Sequence, residues 1–322
     1  MPKQLDTVIL IALPASGKSE VRRYLSSLSE EQCREEFGIG PTVQLDDFPY
    51  VHLMRRTDEV LADLGAETLF FPASDNPFRN PIDWGTLIQL LNQDYVTLHG
   101  NDYPDVPSAA YHLFDRVDAA RAACGGEQPY RALPAAVRGE LARALEPEAR
   151  DLYDKLAAGR PESLEGKTIV IEFARGGPDG SDMPLPAPYG YAYSLSQLSA
   201  EILGRSSLLY VWVTPEESRR KNTERTDPDD PGSILHHGVP MAVMLGDYGC
   251  DDVDHLLGQS GKPDTVTIEA HGRSFDLPLG RFDNRVDKTS FIRKEPADWS
   301  EDEVAGIHQG LKAAFDCLAR AE

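Results

Sequence analysis

The sequence has few cysteines, and their spacing matches no metal or redox motif. Its four cysteines (Cys33, Cys124, Cys250 and Cys317) lie far apart, and no C-x-x-C pair occurs. We therefore expect reduced thiols without structural zinc, as in a cytoplasmic protein. No apolar run approaches the roughly 20 residues of a membrane-spanning helix, and the residues before the first predicted strand leave no room for a signal peptide. The sequence predicts a soluble, cytoplasmic protein.

Positive charge is also scarce. The chain has 32 lysines and arginines against 53 aspartates and glutamates, which gives a formal net charge of −21. Such a field repels nucleic-acid backbones and anionic membranes, so we expect neither as a main partner. Any site for an anion must gather its positive charge locally. Hydrophobic residues make up 41% of the chain, which is enough for a packed core; the oligomeric state is not predicted.

One stretch near the start, residues 7–20, combines a strand, a tight turn and a helix start. Its first six residues (TVILIA) are typical of a buried parallel strand. A turn with Pro14 and Gly17 follows, and Lys18 and Ser19 begin an amphipathic run. The amides of such a loop and of the first helical turn converge on an anion, and the helix dipole adds partial positive charge. The stretch predicts a phosphate-binding loop; an ordinary strand–turn–helix is the alternative.

Residues 12–19 (ALPASGKS) resemble a Walker A loop, G-x-x-x-x-G-K-[ST], of the P-loop superfamily. The resemblance implies ATP and Mg²⁺ as ligands, with Lys18 at the β- and γ-phosphates and Ser19 on the metal. The residues implied to hold the nucleotide are Pro14, Ala15, Ser16, Gly17, Lys18, Ser19 and Glu20. Ala12 stands at the first glycine of the motif. Alanine is harmless there if its φ is negative and obstructs if the loop needs a positive φ.

Two carboxylates, Asp46 and Asp47, follow the second predicted strand at residues 42–45. Ligands of α/β sheets bind outside the carboxyl ends of the strands. A carboxylate there can orient Mg²⁺ or accept the proton of an attacking hydroxyl, and this run resembles the acidic residue after the second strand of small-molecule and nucleoside kinases. We expect Asp47 to act on the acceptor and Asp46 to contact metal or substrate. The alternative is that either one caps the next helix.

A further acid, Glu172, lies in the apolar strand predicted at residues 168–173. It resembles a Walker B carboxylate, which holds Mg²⁺; a solvated strand end is the alternative. Three residues later, Arg175 can bind a substrate phosphate or carboxylate through its planar fork. Arg55, in the helix predicted after Asp47, is another candidate for substrate contact. Tyr189 and Tyr191 lie in a loop rich in proline and glycine and are candidates for stacking on a planar substrate; packing on the helix that follows is the alternative.

A cationic helix is predicted at residues 215–226, after the fourth strand, in an otherwise acidic chain. Its cations are Arg219, Arg220, Lys221 and Arg225. The placement resembles the lid helix of adenylate-kinase-like enzymes, whose arginines stabilise the transferring phosphoryl group. By that resemblance, Arg219, Arg220 and Arg225 are expected to be catalytic. A solvated helix face with ion pairs is the alternative.

Two features near the C-terminal end complete the candidates. His236 and His237 lack the spacing of a metal-binding motif, so a lid or substrate contact is favoured over metal. Asn284 follows the last predicted strand. In adenylate-kinase-like proteins the loop after that strand contacts the nucleotide base, so the resemblance implies that Asn284, and with it Arg281, contacts the base.

The order of elements predicts an α/β fold, specifically a P-loop kinase-like three-layer α/β/α domain with a five-stranded parallel sheet. About 120 residues of mostly helical sequence separate the second strand from the next convincing one, whereas a crossover helix needs only about a dozen. We therefore predict a nucleotide-binding core at residues 1–67 and 165–322, with a lid at about 215–260, and a helical substrate subdomain at 68–164.

Inside the predicted subdomain, the pattern favours a short strand at residues 68–71 and a turn-rich loop at 72–81. Separate helices are predicted at residues 133–145 and 148–158. Because insertions at strand ends carry specificity, we expect this region to select the acceptor.

The resemblance to adenylate-kinase-like nucleoside and small-molecule kinases covers residues 5–50 and 165–290 and implies a phosphotransferase. It would move the γ-phosphoryl group of ATP to the hydroxyl or phosphate of a small acceptor. Two alternatives remain open. One is a kinase similar to the zeta toxins, which act on a nucleotide sugar; the other is a nucleotide-dependent regulatory ATPase or switch without an acceptor.

Overall fold

The computed structural model describes residues 4–100, 103–225 and 238–320. The strands are β1 (Thr7–Ile11), β2 (Thr42–Asp46), β3 (Thr168–Phe173), β4 (Ser206–Trp212), β5 (Thr265–Ala270) and β6 (Arg273–Asp283). The helices are α1 (Lys18–Ser27), α2 (Glu30–Phe37), α3 (Phe48–Asp63), α4 (Asp83–Gly100), α5 (Ala109–Ala123), α6 (Pro129–Ala132), α7 (Ala135–Ala158), α8 (Gly190–Ser196), α9 (Ala200–Leu203), α10 (Pro215–Arg225), α11 (Met241–Gly246), α12 (Val253–Gln259) and α13 (Glu301–Arg320).

The six strands form one sheet in the order β2-β3-β1-β4-β6-β5. The first five in that order run parallel, and β5 is antiparallel to β6. The α/β class is therefore confirmed. The sheet has six strands, one more than the five predicted. That strand exists because His271 and Gly272 both adopt positive φ and close a tight hairpin between β5 and β6. Strand β1 lies in the interior of the sheet, so the loop after it opens at the middle of the sheet's edge.

Helices cover both faces of the sheet because the strand side chains alternate between two apolar cores. On one face, Val8 and Leu10 of β1 pack with α1, α2 and α13. On the other, Ile9 and Ile11 pack with α4, α8, α9 and α12. The domain thus has three layers, with β1 buried from both sides.

The residues between β2 and β3 form a third apolar core from α3 to α7. Helix α4 joins this core to the sheet. Its Ile88 and Leu91 face the strands, whereas its Trp84, Leu87 and Leu90 face the helical side. The helical core includes α3, which precedes residue 68. The helical region therefore packs on the sheet through a shared helix and adjoins the ends of β2 and β3.

Two predictions within this region are wrong. Residues 68–71 form no strand, because the buried carboxylate of Asp58 accepts hydrogen bonds from the amides of Leu69, Phe70 and Phe71. The two helices predicted at 133–145 and 148–158 form one helix, α7, which continues through Pro147. Proline removes one helical hydrogen bond, and the apolar side chains on either side of it, Leu145 and Ala149, stay packed in the helical core.

Of the helices in the described parts of the chain, none is both long enough and apolar enough to cross a lipid bilayer.

Candidate functional site

The loop between β1 and α1 has an unusual backbone. Ala15 has φ of 56° and Gly17 has φ of 104°, and Gly17 is the residue before the first turn of α1. Left-handed residues within a tight turn make successive amides point to one side and form a concavity that binds anions. Positive φ is costly for alanine, and such outliers concentrate at functional sites. Ala12 has no positive φ, so alanine is unstrained at the first position of the motif.

Three side chains bind alternate carbonyls of this loop from outside. Tyr191 Oη donates to the carbonyl of Ala12 (2.9 Å), and Ser218 Oγ donates to that of Pro14 (2.7 Å). Asn284 Nδ2 donates to the carbonyl of Ser16 (2.7 Å).

These ties leave polar groups of the loop available to a ligand. With the carbonyls engaged outside, the amides of Ala15 and Gly17 have no acceptor among the described residues. The hydroxyl of Ser16 is buried and likewise has no partner there. Buried polar groups are normally satisfied, so the loop has the character of an anion site.

Gly17 offers a direct test of the loop. A Cβ at this position would lie 2.5 Å from Thr289 Oγ1 and 2.9 Å from Asn284 Nδ2, in addition to the positive φ. We expect Gly17→Ala to cost about 1 to 3 kcal/mol of stability and to weaken nucleotide binding, measured by thermal unfolding and by titration with a fluorescent ATP analogue. Gly65 has a similar φ of 68° with nothing within 4 Å of a Cβ, so Gly65→Ala is the matched control. Equal effects of both substitutions on nucleotide binding would contradict this reading.

Three carboxylates lie beside the loop at the carboxyl ends of β2 and β3. Asp46 is the register partner of Glu172 in the parallel pair β2–β3, and Asp47 follows directly. Lys18 Nζ lies 4.0 Å from Glu172 Oε1, and Arg22 Nη1 bonds Glu172 Oε2 at 2.6 Å. Lysine and arginine four residues apart share one face of α1. Cations and carboxylates therefore alternate at one place beside the loop.

The acids repel one another here. Burial raises the pKa of Asp46, and the charges of Glu172 and Asp47 raise it further; the amide of Phe48 and the guanidinium of Arg22 act in the opposite direction. A divalent cation next to this cluster would relieve the repulsion.

The donor atoms fit Mg²⁺ held partly by phosphate oxygens. Ser19 is half-buried at the start of α1, and with Asp46 and Glu172 it supplies the hard oxygen ligands that Mg²⁺ prefers. Within the described ranges, no cluster of three histidine, cysteine or acidic side chains forms an all-protein metal site. Mg²⁺ usually binds through one or two carboxylates plus phosphates and water, so the predicted ligands remain compatible with it.

Asp47 is held differently from Asp46. Its Oδ2 accepts a 2.6 Å hydrogen bond from Arg175 Nη1, and both side chains are buried. Burial raises the pKa of Asp47, while the charge and hydrogen bond of Arg175, and the charge of Lys18, favour the ionised form. A carboxylate with a raised pKa, fixed in this way beside the loop, has properties that suit a general base.

A row of aromatic rings connects Arg175 with Arg55. The Arg175 guanidinium lies 4.8 Å from the Trp84 ring centroid, and the Arg55 guanidinium lies 3.9 Å from that of Phe71. Phe78 stands between them, stacked on Phe71 at 4.5 Å and edge-on to Trp84 at 4.8 Å. The predicted substrate residues Arg55 and Arg175 thus lie at the two ends of one aromatic wall between the sheet and the helical region.

The segment after α11 closes this wall. Tyr248 packs edge-on to Trp84 at 5.4 Å, and a Cβ on Gly176 would lie 3.1 Å from the Tyr248 Cα. Asp247 is buried beside them. Arg175 Nε is buried and lacks an acceptor among the described residues. The result is a buried cluster of polar and aromatic side chains next to Asp47, with an unused donor.

The buried carboxyl of Asp247 leads us to expect that the stability of the fold depends on pH. Burial raises the pKa of this carboxyl to about 6, against the lowering effects of Phe78, Trp84, Arg55 and Arg175. A raised folded-state pKa means that the folded protein loses stability as pH rises from about 4 to about 6, by up to about 3 kcal/mol. Asp247→Asn removes this loss. We therefore expect the variant to gain stability relative to wild type over that interval in urea unfolding, and a pH-independent difference would contradict the assignment.

The predicted lid arginines have different surroundings. Arg219 Nη1 lies 3.2 Å from Asp179 Oδ1, across from α10, in the loop after β3. Arg220 is half-exposed and bonds Glu217 and Glu224 on its own helix, which matches the alternative of a solvated, ion-paired face. The side chain of Arg225 lies outside what the structure describes, as do residues 226–237 of the predicted lid, which include His236 and His237.

Two other predictions need adjustment. Glu20 points away from the loop, because its carboxylate is buried against Arg293 Nε at 2.7 Å. Asn284 is fully buried and bonds Ser16, Thr289 and Lys288, so it supports the loop and its amide is not open to a base.

Tyr189 is half-buried against the helical core. Burial, and then the charge of Asp247, raise the pKa of its hydroxyl. Tyr189 therefore lies near Asp247 and the helical core, and its contact with a planar substrate stays a prediction.

The roles of several residues at the site were not predicted from the sequence. Tyr191, Ser218 and Thr289 bind or pack against the loop, and each lies far from it in sequence. Asp247 and Tyr248 belong to no motif. Only Arg22 carried a local signal, since it falls one turn after Lys18 on α1.

An apolar cavity of about 220 Å³ lies under α1, on the sheet face opposite the rings of Phe71, Phe78 and Trp84. It is lined mainly by aliphatic side chains of the sheet and of α1, with Arg22 at its polar margin. It offers no acid–base group other than those already described and Glu30 and Cys33.

Comparisons of the chain with protein-family models, with curated proteins and with solved structures found no match.

Proposed function

We propose that the protein is an ATP-dependent phosphotransferase with the P-loop kinase fold, acting on a small hydroxyl-bearing acceptor. The observation that carries the proposal is the junction of two features at one sheet edge. One is the loop with outward carbonyls, open amides and Lys18; the other is the buried pair Asp47–Arg175 beside it. The first suits a polyphosphate, and the second suits a hydroxyl group that must lose its proton.

The proposed reaction divides the work among these residues. The loop amides and Lys18 hold the β- and γ-phosphates. The acceptor oxygen forms a bond to the γ-phosphorus as the bond from that phosphorus to the β,γ-bridging oxygen breaks. Asp47 accepts the hydroxyl proton, and ADP leaves. Mg²⁺, held by Ser19, Asp46 and Glu172 together with phosphate oxygens, supplies charge neutralisation when bound.

The surroundings of Asp47 support transfer over simple hydrolysis. Arg175 fixes Asp47 and retains an unsatisfied Nε donor, and the rings of Phe71, Phe78 and Trp84 pack together beside this pair. A protein that only switched shape with its nucleotide would not need a buried carboxylate–arginine pair beside its loop. The Arg219 side chain is less exposed than that of Arg220, the other arginine of α10 whose side chain the structure describes. Arg219 is therefore the candidate for stabilising transferred charge.

The experiment is a screen for acceptor-stimulated ADP formation with nucleosides, sugars, nucleotide sugars and their phosphates, at fixed ATP and Mg²⁺. We expect at least one class to raise ADP release well above the rate without acceptor. Nucleotide sugars as the sole active class would select the zeta-toxin-like alternative. Tight ATP binding with slow hydrolysis that no acceptor stimulates would instead support a regulatory switch and contradict the kinase.

A further inference from the structure

The Tyr191 hydroxyl makes three hydrogen bonds to two functional segments. It accepts from the amide of Ala12 at 2.8 Å and from the amide of Arg175 at 3.1 Å, and it donates to the carbonyl of Ala12 at 2.9 Å. The side chain is fully buried. One hydroxyl group therefore ties the start of the nucleotide loop to the first residues after β3.

Tyr191 is itself fixed from behind. Its amide donates to Asp252 Oδ1 at 2.6 Å, and the amide of Ala192 donates to Asp252 Oδ2 at 2.9 Å. Gly190 packs closely against Asp252, since a Cβ there would lie 2.6 Å from the Asp252 carboxylate. The ring also packs near Phe173 of β3 at 6.0 Å. These contacts fix the position of the hydroxyl independently of the two segments that it joins.

The connection continues to the proposed base. Arg175, whose amide Tyr191 holds, bonds Asp47 through its guanidinium. The path from Ala12 through Tyr191 and Arg175 to Asp47 consists of hydrogen bonds of 3.1 Å or less. Burial raises the pKa of Tyr191 well above its ordinary value, so the hydroxyl keeps its proton throughout the physiological range.

We propose that Tyr191 is a positioning residue that sets the distance between the nucleotide loop and the Arg175–Asp47 pair, and therefore between donor phosphate and acceptor base. This inference rests on the proposed phosphotransferase activity. It separates two tasks within the site. The carbonyls of Pro14 and Ser16 are held by Ser218 and Asn284, which shape the loop for the nucleotide. Of the three described side chains that bind carbonyls of the loop, Tyr191 is the one that also bonds the backbone of Arg175.

The test uses Tyr191→Phe, which keeps the ring and removes the hydroxyl. We expect the turnover rate per nucleotide-binding site to fall about 10- to 100-fold, because three buried backbone groups lose their partner and the pair shifts. Nucleotide affinity should stay within about threefold, since Ala12 directly follows β1 and the carbonyls of Pro14 and Ser16, within the turn itself, keep their partners. Counting sites with a fluorescent nucleotide corrects for any misfolded fraction, so a merely structural defect leaves this rate unchanged.

Matched variants sharpen the result. Tyr193 lies two residues along the same helix, where its hydroxyl faces Cys124 and not the loop; Tyr193→Phe should leave both the rate per site and the affinity unchanged. Ser218→Ala should show the opposite split, with weaker nucleotide binding and a nearly normal rate per occupied site. Equal rates per site in Tyr191→Phe and Tyr193→Phe would overturn the inference while leaving the phosphotransferase intact.

A double-mutant cycle that combines Tyr191→Phe with Arg175→Lys tests whether Tyr191 acts through Arg175. If Tyr191 acts through Arg175, the loss in the double variant will be clearly smaller than the product of the two single losses. A fully multiplicative loss would show that the two residues act independently and would overturn the proposed route. A wild-type protein that neither binds nucleotide nor releases ADP would instead remove the proposed function, and the positioning role with it.

Discussion

Replacing Lys18 with methionine is expected to weaken ATP binding by about 10- to 100-fold, which is the loss expected when a charged hydrogen bond to phosphate is removed. Turnover should fall further, by about 10²- to 10³-fold, because the ammonium group also stabilises charge that develops in the transition state. Lys18 is the first residue of α1, directly after the left-handed Gly17. It also lies beside Glu172 at 4.0 Å, in the cluster proposed to organise the phosphates and Mg²⁺.

The measurement is a titration with a fluorescent ATP analogue, followed by ADP release at saturating nucleotide. Arg23→Met provides a control for loss of one positive charge on the same helix. The Arg23 guanidinium bonds the carbonyls of Arg293 and Lys294, away from the carboxylates. An affinity in Lys18→Met within about threefold of the Arg23→Met value would mean that the nucleotide does not bind at this loop.

Asp47→Asn is expected to lower turnover by about 10²- to 10⁴-fold, the range associated with loss of a general base. Nucleotide affinity should change little, since Asp47 is proposed to touch the acceptor and not the donor. The substitution leaves the buried guanidinium of Arg175 without its counter-ion. Unfolding must therefore be measured in parallel, and the rate expressed per nucleotide-binding site.

Asp46→Asn is the informative companion, because it removes the neighbouring carboxylate. Asp46 is the register partner of Glu172, and its Oδ2 lies 3.8 Å from Arg22 Nη1, farther than the 2.6 Å between Arg22 and Glu172. We expect this variant to need more Mg²⁺ for half-maximal rate while retaining most of its maximal rate. If Asp46→Asn loses turnover as severely as Asp47→Asn and Mg²⁺ does not restore it, the division into metal ligand and base is incorrect.

Local sequence patterns predicted the parts of the site that local structure determines. The loop at residues 12–19 was predictable because a buried strand, a turn and a helix start follow one another directly. Asp46, Asp47 and Glu172 were predictable as a group because parallel strands end at the same sheet edge. The structure brings these residues together as expected.

The supports of the site were not predictable, because they depend on contacts between distant segments. The ties from Tyr191, Ser218 and Asn284 to the loop span 179, 204 and 268 residues of sequence. A single sequence does not indicate which of twelve tyrosines is buried at the loop. For the same reason, Asn284 was assigned to a nucleotide base although its amide faces the loop carbonyl.

Propensity also gave the wrong result where a side chain or packing overrides it. Asp58 binds the three amides that a strand at residues 68–71 would have used. Residues 133–145 and 148–158 were predicted as two helices, but the packed residues on both sides of Pro147 keep α7 continuous.

We propose above all that the loop from Ala12 to Ser19 binds a polyphosphate. The most direct measurement is hydrogen–deuterium exchange of peptides spanning this loop, with and without a non-hydrolysable ATP analogue and Mg²⁺. The account predicts strong protection of this peptide, together with the segment that carries Glu172 and Arg175. Unchanged exchange in the loop, or protection confined to the lining of the cavity under α1, would contradict it.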